Sequence, residues 1–407
     1  MNTPAPPPIY LDNNATTRVD PAAVEAMLPF FSEHFGNPSS IHAFGAKVGA
    51  ALKNARQQTQ ALLGAEHDSE IIFTSCGTES DSTAILSALR AQPERNTVIT
   101  TAVEHPAILN LCDWLEKEGY VVHKLRVDKK GRLDIDEYRT LLGGNVALVS
   151  AMWANNETGT IFPVETMAEM AAARGIMFHT DAVQAVGKVP MNLKETKIDM
   201  LSLSGHKLHA PKGIGVLYLR RGCRFRPLLR GGHQERGRRA GTENTPSIVA
   251  LGKAAELALA HLDYENTQIR RLRDKLESSI LSRVPHAFVT GDAASRLPNT
   301  SNIAFEYVEG EAILLLLNKQ GIAASSGSAC TSGSLEPSHV MRAMGIPYTA
   351  AHGAIRFSLS RDTTEEEIDR VIAAVPPVIA QLRALSPYWS ENGPTENPEQ
   401  AFAPAYA

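Results

Sequence analysis

The fold is decided by residues 146–184, which read VALVSAMWANNETGTIFPVETMAEMAAARGIMFHTDAVQ. This stretch opens with an apolar run over residues 146–152 and closes with a second over residues 176–180. The segment between them, at residues 164–174, has the spacing of an amphipathic helix. Two buried runs of strand length separated by a helix predict a unit of two parallel strands with a crossover helix.

The same alternation extends outward over residues 21–221 and predicts a large α/β domain with a mostly parallel mixed sheet. A second helix is predicted over residues 106–118, because Pro106 suits the first turn of a helix. The predicted strands are residues 70–74, 97–101, 121–127, 146–152, 176–180, 200–203 and 215–219.

A smaller α+β domain is predicted at the C-terminal side. It begins with a helix that carries Leu272, Leu276 and Ile280 at helical spacing, and short strands and helices follow. Its last helix is predicted to begin at Thr364, where Thr364 and Glu367 form a capping-box pattern.

Two further features complete the organisation of this smaller domain. Pro376 and Pro377 are expected to interrupt its last helix, because proline lacks a backbone N–H. From residue 386 the chain is rich in Pro, Gly and Glu, which predicts a mobile tail.

The composition excludes several classes of protein. The chain has 407 residues, of which 43% are hydrophobic and 21% are charged, so collagen, coiled coil and whole-chain disorder are excluded. With 40 basic and 44 acidic residues, no global charge attracts nucleic acid or an anionic membrane. The longest apolar run, at residues 312–317, is too short to span a membrane.

The cysteines indicate the compartment. Cys76, Cys112, Cys223 and Cys330 contain no C-x-x-C pair, which favours neither a disulfide framework nor a zinc ribbon. No secretory signal precedes them, so we expect a reducing, cytoplasmic environment.

Polar residues directly after the predicted strands are the candidate ligand groups, since ligands of open α/β sheets bind at the carboxyl ends of the strands. Gly77 and Thr78 lie in a strand-turn-helix segment suited to a phosphate, although for such a turn alone an ordinary helix cap is the preferred interpretation. His105 could stack on a flat ring or transfer a proton, and Asn156 could bind a ring oxygen or a carboxylate. Structural roles remain open for both.

The next two strand ends carry charge. Asp181 ends a buried strand and needs a cationic partner, and the amide of Gln184 follows it. Lys207 lies at a strand end among polar groups, which makes its amine a candidate for a Schiff base. His206 and His209 offer no third metal ligand at a recognisable spacing.

Two segments remain. Residues 324–334 are rich in Ser and Gly and carry Cys330, which we interpret as a nucleophile, whereas the other three cysteines are interpreted as small apolar residues. Residues 220–239 contain eight arginines interleaved with glycines. They favour a loop beside an anionic site, with RNA binding as the alternative.

Taken together, these residues resemble the fold-type I, class V aminotransferase-like enzymes that use pyridoxal phosphate, and among them the cysteine desulfurases of the NifS type. The resemblance covers about residues 9–389. The motifs that carry it are residues 10–17 (YLDNNATT), 35–39 (FGNPS), 204–207 (SGHK), 237–244 (GRRAGTEN), 325–332 (SSGSACTS) and 333–342 (GSLEPSHVMR).

The resemblance implies a fold-type I transferase with a large cofactor-binding domain at residues 16–262. It implies a small domain at residues 1–15 and 263–385 that carries the loop with the catalytic Cys330, and a tail at residues 386–407. Lys207 would bind pyridoxal phosphate and shuttle a proton, and Arg356 with Asn156 would bind the substrate carboxylate. The implied cofactor-binding residues are Gly77, Thr78, His105, Asn156, Asp181, Gln184, Ser204, His206, Lys207 and Thr242.

The resemblance also implies an activity and partners. L-cysteine would give L-alanine and a persulfide on Cys330, and the sulfur would pass to an iron–sulfur scaffold protein, for nitrogenase. Thr242 would reach the phosphate of the second subunit of a homodimer. A nascent iron–sulfur cluster held through the Cys330 persulfide is the one metal site that the resemblance suggests.

Several alternatives stay open. On the same fold they are a housekeeping desulfurase for iron–sulfur clusters or tRNA thiolation, a selenocysteine lyase and a transaminase. An alternative from a different enzyme class is a cysteine hydrolase that pairs Cys330 with His105 or His206 and requires neither Lys207 nor a cofactor. The sequence departs from the family pattern at three positions: Cys76 stands where Gly or Ala is usual, and Ala210 and His233 stand where Gly is usual.

Overall fold

The computed structural model describes residues 7–326, 337–391 and 393–395. Its strands are β1 (Ile9–Tyr10), β2 (Ile71–Thr74), β3 (Thr97–Thr101), β4 (Val121–Leu125), β5 (Val146–Ser150), β6 (Met177–Asp181), β7 (Met200–Ser204), β8 (Gly215–Leu219), β9 (Ala287–Val289), β10 (Thr300–Phe305), β11 (Ile322–Ala323), β12 (Ala354–Ser358), β13 (Trp389–Ser390) and β14 (Gly393–Pro394). Its α-helices are α1 (Pro21–Met27), α2 (Pro29–Ser32), α3 (Ala43–Leu63), α4 (Gly77–Ala91), α5 (Pro106–Lys117), α6 (Ile135–Leu141), α7 (Val164–Ala172), α8 (Thr245–Ala260), α9 (Leu262–Tyr264), α10 (Arg270–Arg283), α11 (Gly310–Lys319), α12 (His339–Ala343), α13 (Tyr348–Ala351) and α14 (Glu365–Leu385).

A seven-stranded sheet in the order β2-β8-β7-β6-β5-β3-β4 forms the centre of the molecule. Strand β8 is antiparallel to both of its neighbours, and all other pairs are parallel. Every residue of β2, β3, β5, β7 and β8 is buried, because helices cover both faces of the sheet. The predicted α/β class and mostly parallel mixed sheet are confirmed.

All seven predicted strands occur in this sheet, and their ends differ from the predicted ends by at most two residues. The unit quoted from residues 146–184 forms β5, α7 and β6, with β5 and β6 paired in parallel. The carboxyl ends of these parallel strands therefore lie along one edge of the sheet, where their following loops meet.

A second, smaller core surrounds the antiparallel sheet β12-β10-β9. Apolar side chains of α10, α11 and α14 pack on it, and Ile9 and Leu11 join the same core. Strand β1 pairs in parallel with β11, and further along the backbone N–H of Thr17 donates to the backbone oxygen of His206 after β7, so the N-terminal segment crosses from this core to the large sheet. A π-helical turn at Glu265–Ile269 leads into α10.

The expected break at Pro376 and Pro377 is wrong. Helix α14 is continuous from Glu365 to Leu385, and the predicted Thr364–Glu367 capping box begins it. The two prolines remove the backbone donors that would bond to the carbonyls four residues earlier, which costs about 3 kcal/mol each in an isolated helix. Burial of one face of α14, which includes Val371, Val375 and Val378, offsets this cost.

A short hairpin follows helix α14 near the C-terminal end of the described residues. Trp389 lies in the β13–β14 hairpin, and its ring lies 4.3 Å from the guanidinium carbon of Arg383. Residues 396–407 of the predicted tail are outside the described residues. Within the part of the chain that the structure describes, no helix is long and apolar enough to cross a membrane.

Candidate active site

A cavity of about 310 Å³ lies at the carboxyl ends of the central strands. The loops after β2, β3, β5, β6 and β7 each contribute side chains to its wall, and Arg356 of β12 closes it from the smaller core. The structure thus brings together ten predicted site residues: Gly77, Thr78, His105, Asn156, Asp181, Gln184, Ser204, His206, Lys207 and Arg356.

Lys207 lies in the 3-10 turn that directly follows β7. Its Nζ donates hydrogen bonds to the backbone oxygens of Asn14 and Ala15, at 2.6 and 2.7 Å. Burial and the nearby Arg356 and Lys188 lower the pKa of Lys207 to about 8. A larger fraction of this amine than of an ordinary lysine is therefore unprotonated near neutral pH, as a carbonyl nucleophile requires.

Asp181 ends β6 and is 7% exposed. Its Oδ1 accepts a hydrogen bond from the backbone N–H of Val183 at 2.9 Å. Burial raises the pKa of Asp181 to about 6, against the opposing effects of this hydrogen bond and of Lys207. The carboxylate suits a cationic ligand atom in the cavity, which would lower its pKa.

Two histidines of the wall are neutral. His105 caps α5, and its Nδ1 accepts a hydrogen bond from the N–H of Ala107 at 3.1 Å, which places the ring proton on Nε2. Burial and Lys207 lower the pKa of His105 to about 4. His206 is likewise held, with Nδ1 3.1 Å from Thr16 Oγ1, and burial lowers its pKa to about 4.

The N-terminus of α4 forms one end of the cavity. Gly77 and Thr78 are its first residues, so their backbone N–H groups have no partner within the helix. A Cβ added at Gly77 would lie 3.0 Å from Val183 Cγ2, which explains the need for a small residue. Free N–H groups and the helix dipole favour an anion here, with Ser204 and His206 alongside.

Arg356 lies opposite, buried at 2% exposure. Its guanidinium donates to the backbone oxygen of Asn156 at 2.8 Å and forms an ion pair with Asp12 at 2.7 Å. Its Nε has no hydrogen-bond partner among the described residues. Such a fixed, partly unsatisfied guanidinium is suited to a carboxylate.

Gln184 faces the same space from the turn after β6. Its amide nitrogen donates to the backbone oxygen of Asn14 at 2.9 Å, and its Oε1 is buried with no hydrogen-bond partner in the part described. One N–H and the carbonyl oxygen of this amide are therefore available to a ligand.

Sequence reasoning missed four residues of the wall. Asn14, Asp81, Glu157 and His339 all line the cavity. Asn14 and His339 lie in motifs quoted above, but their types alone suggested no role. Asp81 follows Gly77 by one helical turn, which could have placed it on the same face of α4.

Glu157 and His339 tie the start of α12 to the loops after β5 and β3. Ser338 Oγ donates to Glu157 Oε2 at 2.5 Å, and His339 Nε2 lies 2.9 Å from the backbone oxygen of Glu104. Burial raises the pKa of Glu157, and the hydrogen bond from Ser338 opposes that rise. These contacts fix the chain immediately after the segment that contains Cys330.

Thr242 is not brought into this arrangement. Thr242 is exposed and lines a separate cavity with Arg239 and Glu235. Cys330, the predicted nucleophile and the suggested cluster ligand, lies outside the described residues. Upstream of it, Ser325 and Arg356 exchange two backbone hydrogen bonds, so the segment leaves directly from the cavity wall.

The interpretation of the other cysteines holds in part. Cys112 is fully buried in an apolar cluster, and burial raises its pKa to about 12. Cys223 is partly buried beside the same cluster. Cys76, however, lines the active-site cavity next to the N-terminus of α4.

The arginine-rich segment is largely engaged within the chain. Arg220 donates to the backbone oxygens of Ile198, Leu193 and Thr196, and Arg239 forms an ion pair with Glu79 at the start of α4. These contacts occupy both guanidinium groups within the chain, and the loop beside an anionic site stays a prediction, as does the RNA-binding alternative. Of the other departures, Ala210 is fully buried, and His233 is exposed.

Comparisons with known proteins show the family of the chain. The aminotransferase class-V family profile matches residues 9–371. Cysteine desulfurase NifS of Azotobacter vinelandii is 76% identical over 98% of this chain and 99% of its own length. A cysteine desulfurase of Gluconacetobacter diazotrophicus is 68% identical, over 98% and 99%.

Solved structures show the same fold. A NifS-like protein, 37% identical, superposes with a TM-score of 0.86 over 92% of this chain and all (100%) of that one. SspA, solved in complex with cysteine and 34% identical, superposes with a TM-score of 0.77 over 86% of this chain and 98% of its own.

Proposed function

The chain belongs to the aminotransferase class-V family and is a cysteine desulfurase of that family, and we propose that it transfers the sulfur of L-cysteine to Cys330 with pyridoxal phosphate bound at Lys207. The observation that carries this proposal is the single cavity that holds Lys207, Asp181 and Arg356. A reactive amine, a carboxylate that needs a cation and a guanidinium suited to a carboxylate are the groups that an amino acid and this cofactor require.

The residues present fit pyridoxal phosphate. The phosphate would take the N-terminus of α4 at Gly77 and Thr78, with Ser204 and His206. Asp181 would pair with the ring nitrogen, Gln184 would bond the ring oxygen, and the His105 ring would lie against the cofactor. When bound, the cofactor supplies an electron sink for the bonds broken at the substrate α-carbon.

The chain's own residues then have separate tasks. Arg356 and Asn156 hold the substrate carboxylate, as the unsatisfied Nε of Arg356 favours. The Lys207 amine, with its pKa of about 8, takes the α-proton and later returns it. Neutral His105 offers its Nε2–H to the cavity as a hydrogen-bond donor.

The sulfur step takes place on Cys330. Its thiolate attacks the substrate sulfur, and an S–S bond forms while the Cβ–S bond of the substrate breaks. The electron pair left at Cβ takes up a proton, so alanine leaves and a persulfide remains on Cys330. The backbone bonds between Ser325 and Arg356 support this role, because they begin the Cys330 segment at the cavity wall.

We further propose a physiological setting. The name of the 76% identical relative, NifS, supports a sulfur supply for the iron–sulfur clusters of nitrogenase. We place the protein in the cytoplasm as a homodimer that passes sulfur to an iron–sulfur scaffold protein. A housekeeping desulfurase shares the same catalytic groups and is the second candidate.

The test is the visible spectrum of the purified protein before and after L-cysteine is added, with alanine and sulfide quantified. We expect the band of a lysine-bound cofactor, a shift on addition, and both products. Cys330→Ser should keep the band and lose desulfuration. A band without sulfide would instead indicate a transaminase, and full turnover by Cys330→Ser would refute the persulfide step.

The shared-site proposal has its own test. Thr242 is exposed and lies outside the cavity of its own chain. In a mixed dimer of a Thr242→Val chain and a Lys207→Ala chain, the site that keeps Lys207 would take an intact Thr242 from the Lys207→Ala partner. Cofactor affinity at the Lys207-bearing site should recover in the mixed dimer. Affinity as weak as that of the Thr242→Val homodimer would show that Thr242 serves its own chain.

A further inference from the structure

A row of buried polar side chains lies beneath the floor of the cavity. His179 of β6 is fully buried, with its Nδ1 2.9 Å from Ser150 Oγ of β5 and its Nε2 2.9 Å from Ser202 Oγ of β7. The row therefore crosses three adjacent strands. Asp81 of α4 caps it from above, with Oδ1 3.7 Å from His179 Nε2.

Asp81 differs from the nearby Asp181 in its surroundings. Asp81 is 1% exposed, and its Oδ1 has no hydrogen-bond partner among the described residues although Asp81 lines the cavity. Asp181 accepts a backbone N–H from Val183 and feels the charge of Lys207. Of two neighbouring buried carboxyl groups, the one without a cation and without an N–H donor keeps the proton.

We propose that Asp81, supported by the Ser150–His179–Ser202 row, is a neutral carboxylic acid and a positioning residue that leaves Asp181 the ionised carboxylate at the floor of the cavity. This inference rests on the proposed function, because it assigns to Asp181 alone the pairing with the cofactor ring nitrogen. A second ionised carboxyl at Asp81 would raise the proton affinity of Asp181 and weaken its ability to act as the anion.

The groups that face Asp81 agree with a neutral acid. They are Cys76 directly before α4, Glu104 from the loop before α5, and His179 and Asp181 on β6. Burial, followed by Asp181, holds the pKa of Asp81 well above its usual range, with only the Ser202 hydroxyl opposing. His179 supplies no positive charge, because burial lowers its pKa to about 3.

The test compares Asp81→Asn with wild type in the full chain without cofactor, by thermal unfolding between pH 5 and pH 8. A carboxyl group whose pKa is raised by folding binds more protons in the native state, so its contribution to stability falls as the pH rises. Asparagine has nearly the same shape as aspartate but no group that titrates in this pH range, so the variant lacks the pH-dependent contribution of Asp81. The melting temperature of Asp81→Asn relative to wild type should therefore rise from pH 5 to pH 8.

The opposite result would overturn the proposal. If Asp81 were ionised and paired with a protonated His179, Asp81→Asn would melt below wild type, most clearly at pH 5 to 6. Should Asp81→Asn fail to fold, Asp81→Ser is measured in the same way. If neither folds, NMR titration of His179 in wild type decides: a neutral ring at pH 7 supports the proposal, and an imidazolium refutes it.

A second measurement is cofactor affinity. Asp81→Asn should bind pyridoxal phosphate far better than Asp181→Asn, which is expected to lose about 10- to 100-fold through its charge-assisted hydrogen bond. Equal losses in the two variants would refute the division of roles. A wild-type chain that takes up no cofactor would refute the proposed function, yet it would leave the unfolding experiment interpretable.

Discussion

The lowered pKa of Lys207 can be measured directly as chemical reactivity. The perturbation is pH, applied to the cofactor-free chain, and the probe is brief acetylation followed by mass spectrometry of the Lys207 peptide. With a pKa of about 8, about one-tenth of this amine is unprotonated at pH 7. At the ordinary lysine pKa of 10.5 the unprotonated fraction would be about 0.03%. The structure therefore predicts that Lys207 is acetylated about 300-fold faster at pH 7 than a lysine of ordinary pKa.

The assay has an internal reference and a matched variant. Exposed Lys197 reports how the reagent itself varies with pH. Arg356→Gln removes a cation that lowers the pKa of Lys207, so its labelling midpoint should move to higher pH. A wild-type midpoint near 10, or no movement in Arg356→Gln, would refute the reasoning that burial and Arg356 set the state of this amine.

Three further predictions follow from single contacts. Arg356→Lys should raise KM for L-cysteine about 10-fold or more with a smaller effect on kcat, because lysine cannot reproduce the forked hydrogen bonds; an unchanged KM in steady-state assays would contradict this. Pro377→Ala should stabilise α14 by about 2 kcal/mol in chemical unfolding, since it restores a backbone donor at an exposed position, and a loss of stability would contradict it. Ser338→Ala should cost about 1–3 kcal/mol by leaving the buried carboxyl of Glu157 without its donor, and Ser338→Thr, tested in the same unfolding assay, should retain part of the lost stability.

Much of the large sheet could be predicted from the sequence because its strands are short apolar runs bounded by polar loops. Asp181 and Lys207 could be identified because each places a charge at the end of such a run. The role of Asp81 could not, since its partner His179 is distant in sequence and its burial depends on how α4 packs over β6 and β7. The sequence alone does not distinguish a polar helix residue that faces water from one that faces a sheet.

Helix α14 also shows that tertiary packing can override a prediction made from local sequence. The local rule that proline breaks a helix is sound for an isolated helix, yet here the packed face decides the outcome. Similarly, the position of Thr242 outside the cavity of its own chain depends on tertiary structure, and its assignment rests on the resemblance alone.

The fixed ends of the Cys330 segment set the local concentration of its thiol. Cys330 lies four residues beyond Ser326, so its Cα is within about 14 Å of that anchor, whatever the path of the chain. One thiol confined to a sphere of that radius corresponds to about 0.1 M. Free thiols at millimolar concentration would therefore meet the substrate about a hundredfold less often than the Cys330 thiol does. The covalent connection of Cys330 to the chain thus favours transfer of the sulfur to the protein over transfer to a free thiol.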